Sequence, residues 1–350
     1  MGRRALSSLV GLPLLLAACQ PGAPVAPNAS PSGSATPATA RLAVSDAPIP
    51  STDARAYLLF QLPGEDRLRG IGWDGATSGV LAGRVAAQGI WSAQSPDGSR
   101  YIADGVVYDR AGHSLGALPW RGKGESATWS SDGSFCKVVP MTPVTGAWLE
   151  LQIAKLGEAP RTVARRFGIY SDNASFPVLA CDRATDRAIV ASLGQGIALG
   201  HLWVFRLSTG ALIRSVDYPG AWAAVSIDGT TLAVALLSNG DMRTTIQRAD
   251  DGSSLGTVED FTAHGFSANG SLLVGTTKSN STVLLDWRTG RRIWSRSGLP
   301  YGGFFAEPAG AHVAIGVGYT DGRTNDDLYI VAPDGSSVLL PAHVRAALQY

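Results

Sequence analysis

Cysteine is scarce in this chain, with three in 350 residues, and no Cys-x-x-Cys pair is present. The usual spacing for a zinc knuckle or a redox dithiol is therefore missing. No Gly-x-Ser-x-Gly elbow and no His-Glu-x-x-His occurs either, which removes the α/β-hydrolase nucleophile and the zincin helix. The five histidines, His113, His201, His264, His312 and His343, stand singly without ligand spacing. An excess of charge of one sign is also lacking. The formal net charge is +1, which gives no general pull toward nucleic acid. Beyond residue 18 no run is long and apolar enough to span a bilayer. No long amphipathic helical period appears, which argues against an α/β domain.

What the chain has instead is a recurring turn. Ser95-Pro96-Asp97-Gly98-Ser99 is echoed by Ser130-Ser131-Asp132-Gly133-Ser134, Ser226-Ile227-Asp228-Gly229-Thr230 and Ser267-Ala268-Asn269-Gly270-Ser271, with a worn copy at Glu307-Pro308-Ala309-Gly310-Ala311. Asp-Gly or Asn-Gly between short apolar runs signals a hairpin, because glycine takes positive φ freely and Asp or Asn tolerates it. Gly229, Gly270 and Gly310 are spaced 41 and 40 residues apart, close to the roughly 40–45 residues of a four-stranded propeller blade. A second series alternates with the first, including Phe205-Arg206-Leu207-Ser208-Thr209-Gly210 and Asp286-Trp287-Arg288-Thr289-Gly290. The first series reads as the turn between strands one and two of a blade, the second as the turn between strands three and four. The second has seven members, so the expected fold is an all-β propeller of seven blades, each of four antiparallel strands. The first blade lacks its own opening turn. A strand from the other terminus is expected to complete it, either Leu42 to Val44 or His343 to Leu348. Trp148 to Ile153 alternates, as a strand with one drier face does.

The N-terminus carries Arg3 and Arg4 and then a short apolar stretch that ends in Leu16-Ala17-Ala18-Cys19. This resembles the signal and lipobox of bacterial lipoproteins. The resemblance implies cleavage before Cys19, diacylation of its sulfur, and a chain lipid-anchored to the bacterial membrane on the extracytoplasmic side. Loss of residues 1–18 with both arginines takes the formal charge from +1 to −1. Residues 19–50 are rich in Pro, Ala, Ser and Gly, with Val25, Leu42, Val44 and Ile49 as the bulky apolar exceptions. Such a segment reads as a disordered tether, leaving residues 51–350 for the ring. Cys136 and Cys181 remain. They fall on the second strand of one blade and the first strand of the next, either as a disulfide or as two buried thiols.

The Ser-Pro-Asp-Gly-Ser element at successive first hairpins resembles the bacterial WD40-like propellers of the TolB and YVTN type, over about residues 55–340. Those families include interaction scaffolds, periplasmic assembly factors, lactonases and regulatory domains of peptidases, so the resemblance implies a fold without choosing an activity. The position of His264 resembles a family residue that hydrogen-bonds within a blade. Asp286 to Trp294 also resembles a repeat of quinoprotein-like propellers, but Val216 and Val258 stand at the matching places next door, so the pattern occurs once.

Candidate binding residues cluster on the crossings between blades: Trp120 and Arg121, Arg166 and Tyr170, Tyr218 and Trp222, and Tyr301. Aromatic and arginine side chains give large contact area at low entropic cost. Trp120, Arg166, Tyr170 and Tyr301 are expected to be exposed; Trp222 serves equally well as packing between blades. Asp321, Asp326 and Asp327 form the densest acidic loop, a weak candidate for calcium, and no other cofactor is expected. The expected function is a non-catalytic binding or scaffold module for an envelope or extracellular protein, peptide or glycan, monomeric and without nucleic acid. The alternative is an extracytoplasmic propeller hydrolase, lactonase-like or glycan-cleaving, with a metal in the central channel.

Overall fold

The structure is a computed structural model that describes residues 39–50, 57–62, 65, 67–84, 94–103, 105–120, 127–142, 144–194, 199–238, 241–307, 310–318, 327–340 and 345–346. All its regular elements are strands, with no helix among the described residues. β1 (Thr39–Arg41) is followed by β2 (Tyr57–Gln61), β3 (Arg67–Gly72) and β4 (Ser78–Arg84), then by β5 (Arg100–Ala103), β6 (Val106–Asp109) and β7 (Ser114–Ala117). Next come β8 (Thr128–Trp129), β9 (Phe135–Pro140), β10 (Trp148–Ala154) and β11 (Arg161–Ile169). β12 (Val178–Asp182), β13 (Arg187–Leu193) and β14 (Leu199–Arg206) lead into the long β15 (Leu212–Val225), then β16 (Thr231–Ser238), β17 (Asp241–Arg248) and β18 (Ser254–Glu259). β19 (Phe261–Phe266), β20 (Leu272–Thr277), β21 (Ser281–Asp286) and β22 (Arg291–Ser297) form the next meander. β23 (Leu299–Ala306), β24 (Val313–Gly318), β25 (Asp327–Val331), β26 (Ser337–Leu339) and β27 (Arg345–Ala346) end the chain.

The fold is an all-β propeller. Five blades of four consecutive antiparallel strands run from β8 to β26, two of them sharing β15 as outer strand of one and inner strand of the next. This corrects the expected seven. The difference lies over residues 57–117, where two sheets lack a full meander of their own. One is the three-stranded β5–β6–β7, joined to Gln94 by a single bridge at Tyr101. The other is β2–β3–β4, whose fourth strand is borrowed from the far end of the chain. There β27 pairs antiparallel with β2, placing Ala346 opposite Phe60 and Arg345 opposite Gln61. The closing strand thus comes from the C-terminal candidate. Leu42 and Val44 instead follow β1, which lies parallel on the outer edge of β26.

Packing follows from the period of two along each strand, because both faces of every sheet are covered. Tyr57, Leu59, Leu68 and Leu81 pack on Tyr101, and Ile102 and Val107 on Trp129 and Phe135. Leu151 and Ile153 meet Val190 and Phe205, Ile189 and Val204 meet Leu232 and Val234, and Ala233 and Ile246 meet Phe261 and Leu273. Val274 and Trp294 meet Val313 and Tyr329. Finally Phe305, Leu328 and Ile330 meet Leu58, Phe60 and Ile71, so the last blade packs on the first sheet. Each such fully buried side chain contributes about 1.5–3 kcal/mol.

The ring also reaches further toward the N-terminus than residue 51. Leu42 and Val44 pack against the cluster between the last blade and the first sheet, and Ile49 is buried. Arg69, 2 % exposed, holds this strap by donating to the Ser45 carbonyl at 3.1 Å and to Asp46 Oδ1 at 2.7 Å while its Nε donates to Glu65 at 2.8 Å. The bulky apolar residues in an otherwise small-residue segment supply the surface that holds it.

Candidate binding site

In an antiparallel meander the first and third turns of every blade emerge at one end of the ring. The loops between strands two and three emerge at the other, together with the crossings between blades. The turn end is repetitive. Gly98, Gly133, Gly229 and Gly270 all have φ between 65° and 77° and donate N–H to the Ser three residues back, at 2.8–3.0 Å. In the first, third and fourth of these turns the same Ser hydroxyl bonds to the side chain of Asp97, Asp228 or Asn269. In all four, that Asp or Asn also accepts the N–H of the residue after the glycine. Burial opposes ionisation of Asp97, but hydrogen bonds from Ser95 and Ser99 outweigh it and hold the carboxyl below its ordinary range.

At this turn end a disulfide joins Cys136 on β9 to Cys181 on β12, with Cα atoms 6.1 Å apart and a sequence separation of 45. It ties neighbouring blades together. Closing a loop of that length in the unfolded chain is worth about 4 kcal/mol on chain-entropy grounds.

The loop end is irregular. Trp120 is half-buried there rather than exposed. Its indole N–H donates to Gln152 Oε1 at 2.9 Å and its ring packs against the cluster around Trp129 and Phe135. The Lys137 ammonium sits 5.9 Å from the Trp120 ring, and burial pushes its pKa down to about 8. Tyr218 is half-buried, its hydroxyl accepting from Arg214 and Gln247, both at 2.7 Å. Trp222 is half-buried with its ring edge-on to His264, centroids 5.7 Å apart. His264 bonds to Thr276 Oγ1 at 2.9 Å, and burial pushes its pKa down to about 4, so it is neutral at pH 7. Tyr170 is half-buried against Phe176. Arg166 is exposed on β11. Arg121, Asp321 and Asp326 lie outside the described residues, as does the Tyr301 side chain. Asp327 opens β25 and accepts the Tyr329 hydroxyl at 3.0 Å. No group of three His, Cys, Asp or Glu is placed to hold a metal among the described residues.

At the crossing of Arg166 and Tyr170, Arg166 is exposed as expected while Tyr170 is half-buried, and the structure adds neighbours to it. Met141, Val144, Trp148 and Ile169 are exposed at 50 %, 62 %, 45 % and 56 %. They belong together. Trp148 and Ile169 are cross-strand partners, and Met141 N donates to the Trp148 carbonyl at 2.8 Å. The loop is fixed to the crossing, since Gly146 N donates to the Tyr170 carbonyl at 2.8 Å and Tyr170 N to the Ala147 carbonyl at 2.7 Å. Beside them stand Arg165 and Arg166, both exposed, with Arg165 3.4 Å from Glu150. The sequence did carry a signal. Trp148 is in phase with Glu150 and Gln152, the wetter face of an alternating strand, whereas Leu149, Leu151 and Ile153 are buried. A tryptophan on the polar face lacks a core role.

A second cluster stands on β14 and β15. His201 Nδ1 lies 2.5 Å from Asp217 Oδ1 and its Nε2 2.8 Å from Ser215 Oγ. His201 and Asp217 are cross-strand partners, as are Trp203 and Ser215. With the Asp217 side chain 80 % exposed, this is a solvent-screened pair that helps pin strand register.

No protein-family model and no curated protein sequence matches the chain. Similar solved structures include the β-propeller domain of Cps50 (Swd1) from Myceliophteria thermophila, 14 % identical, with a TM-score of 0.47 over 76 % of this chain and 94 % of that one. Another is a eukaryotic initiation factor, 13 % identical, with a TM-score of 0.45 over 83 % of this chain and 89 % of that one. Neither carries a function over to this protein.

Proposed function

We propose that this protein is a non-catalytic binding module that uses the loop end of its propeller, centred on Trp148, to hold a protein or peptide partner. One observation carries the reading: Met141 and Val144 on the loop after β9, and Trp148 and Ile169 where β10 and β11 adjoin it, are all exposed, and the loop's backbone is pinned by hydrogen bonds. Monomeric proteins rarely leave such side chains clustered in water unless something covers them, and a pinned loop loses little entropy on binding.

The module is read as an extracytoplasmic lipoprotein, held by acylated Cys19 through the segment before β1. The Leu16-Ala17-Ala18-Cys19 sequence supports this, as does the Cys136–Cys181 bond, a type of bond that persists in oxidising compartments.

Photo-crosslinking tests the binding reading. Benzoylphenylalanine at position 148 is expected to give a discrete adduct in the native envelope, whereas the same group at the exposed turn residue Asp251 gives none. Equal adducts at both places, or none at 148, would reject it. Radiolabelled palmitate incorporated by the native chain and lost in Cys19→Ser tests the anchor.

A further inference from the structure

We infer that the outer edge of β11 receives an extended segment of a partner protein as an added strand, and that this segment combines apolar with acidic side chains. The inference rests on the loop end being the binding face and narrows that reading to a mode and a chemistry.

The mode comes from the sheet edges. β11 is the outermost strand of its blade and, among the described residues, pairs with β10 alone. The chain itself shows that such an edge accepts a parallel strand. β1 sets Thr39, Ala40 and Arg41 opposite Ser337, Val338 and Leu339 of β26. A few residues on, Val80 N on the outer strand β4 donates to the Ala47 carbonyl at 2.9 Å, and Ile49 N donates to the Val80 carbonyl at 2.8 Å. Two outer edges are therefore already extended by the protein's own N-terminal segment. On β11 the first half is covered: Gly210 of the next blade approaches so closely that a Cβ there would lie 1.9 Å from the Val163 carbonyl oxygen. The stretch from Arg165 to Ile169 lies beyond that contact, next to the exposed loop; there Phe167 and Gly168 turn onto Trp203 of the next blade, while Arg165, Arg166 and Ile169 are exposed. Strand addition to an open edge lets backbone groups supply affinity while alternate side chains supply specificity.

The chemistry comes from the side chains around that stretch. Arg166 has φ 56°, and the register with β10 shifts between Trp148 and Glu150, the mark of a bulge. A non-glycine residue in the left-handed region is strained, and bulges re-aim side chains at functional places. Glu150 faces Arg165, whereas Arg166 has no carboxylate within ion-pair distance among the described residues. Charge and a bulge both keep an edge from pairing indiscriminately; here the arginines also border the exposed Met141, Val144, Trp148 and Ile169. Apolar side chains from an incoming strand would meet those four, and a carboxylate would meet Arg166 in a charge-assisted hydrogen bond. A bilayer surface would leave the strand's backbone groups unused, so a peptide fits this edge better.

The test is a selection of random twelve-residue peptides on phage against the full chain carrying Cys19→Ser. It is run in parallel on the same chain with Arg166→Gly added and with Trp148→Ala added. Arg166→Gly removes the charge where glycine is relaxed, so its melting temperature reports that the fold is kept. The enriched peptides are expected to combine Asp or Glu with β-branched or aromatic residues and to lack proline. Their synthetic copies should bind at least tenfold more weakly to either variant, and at least tenfold more weakly after N-methylation of alternate backbone amides. Peptides that bind through Trp148 without acidic bias, or that ignore N-methylation, would overturn the added-strand inference and leave loop-end binding standing. Failure to enrich any sequence over the Trp148→Ala chain would bring down both. Failure to enrich together with sedimentation on phosphatidylglycerol vesicles that Trp148→Ala abolishes would assign the patch to a membrane surface and overturn the inference.

Discussion

At one end of the ring Ser95, Ser130, Ser226 and Ser267 sit in near-copies of one hydrogen-bonded turn. At the other, the described residues differ from blade to blade: Trp120 is locked to Gln152, Tyr218 to Arg214 and Gln247, and the blade of β8–β11 leaves Trp148 and Arg166 in water. Both ends are made by the same strands, so strand geometry does not explain the difference. A turn of two residues has few solutions, and its polar groups must satisfy one another locally. A crossing between blades has no such constraint, so its residues are free to serve packing or recognition. The teaching is that repetition marks the scaffold, and departure from repetition marks where individual function resides.

Substitutions should separate the two ends by their cost in stability. The largest effect is expected at the turn end from Cys136→Ser with Cys181→Ser, which should lower stability by about 4 kcal/mol through the restored freedom of the unfolded loop. Urea unfolding with and without reductant measures it, and a midpoint indifferent to both would show that the bond does not form.

Next comes His264, between the ends on β19. Its pKa is pushed below the unfolded value by burial, so the unfolded chain binds the extra proton between pH 6.5 and about 4. Stability should therefore be fully present above pH 6.5 and fall as pH drops toward 4, by at most about 3 kcal/mol. His264→Gln should flatten that part of the pH–stability curve, leaving the fall at lower pH that comes from turn carboxylates such as Asp97 and Asp132.

Asp228→Ala removes an acceptor for Ser226 Oγ, Thr230 N and Thr230 Oγ1 and should cost about 1–2 kcal/mol. At the loop end the sign changes. Arg166→Gly should leave stability unchanged or raise it by up to about 1 kcal/mol, since it relieves a left-handed arginine. Trp148→Ala should stay within about 0.5 kcal/mol, as exposed positions do. A loss of more than 2 kcal/mol from Trp148→Ala in calorimetry would show that the patch is part of the core after all and would erase the distinction between the ends.

Individual residues show how much of this was legible beforehand. The Asp-Gly and Asn-Gly turns named their own hairpins because positive φ at Gly98 or Gly270 is a local requirement. Trp148 was legible in principle, from its phase with Glu150. Trp120 was not: its crossing looks as aromatic and basic as that of Arg166, and only Gln152, 32 residues away, decides that the indole is held inside. The strap was half legible, through Leu42, Val44 and Ile49 in a segment otherwise too small and polar to fold. The blade count was misjudged because turn signals continue through residues 57–117 where full four-strand meanders do not.

The sequence by itself determined the all-β class, the length of the repeat, the hairpin turns and the alternation that buries one residue in two. All of these depend on neighbours a few positions apart, where turn chemistry and strand period act directly. Only the tertiary structure decided that β27 closes the first sheet, that the N-terminal segment covers the edges of β26 and β4, and that Cys136 meets Cys181. It alone also decided which rim aromatics are sheltered and which remain exposed. Those outcomes depend on contacts between sheets tens to hundreds of residues apart, and no local pattern records them.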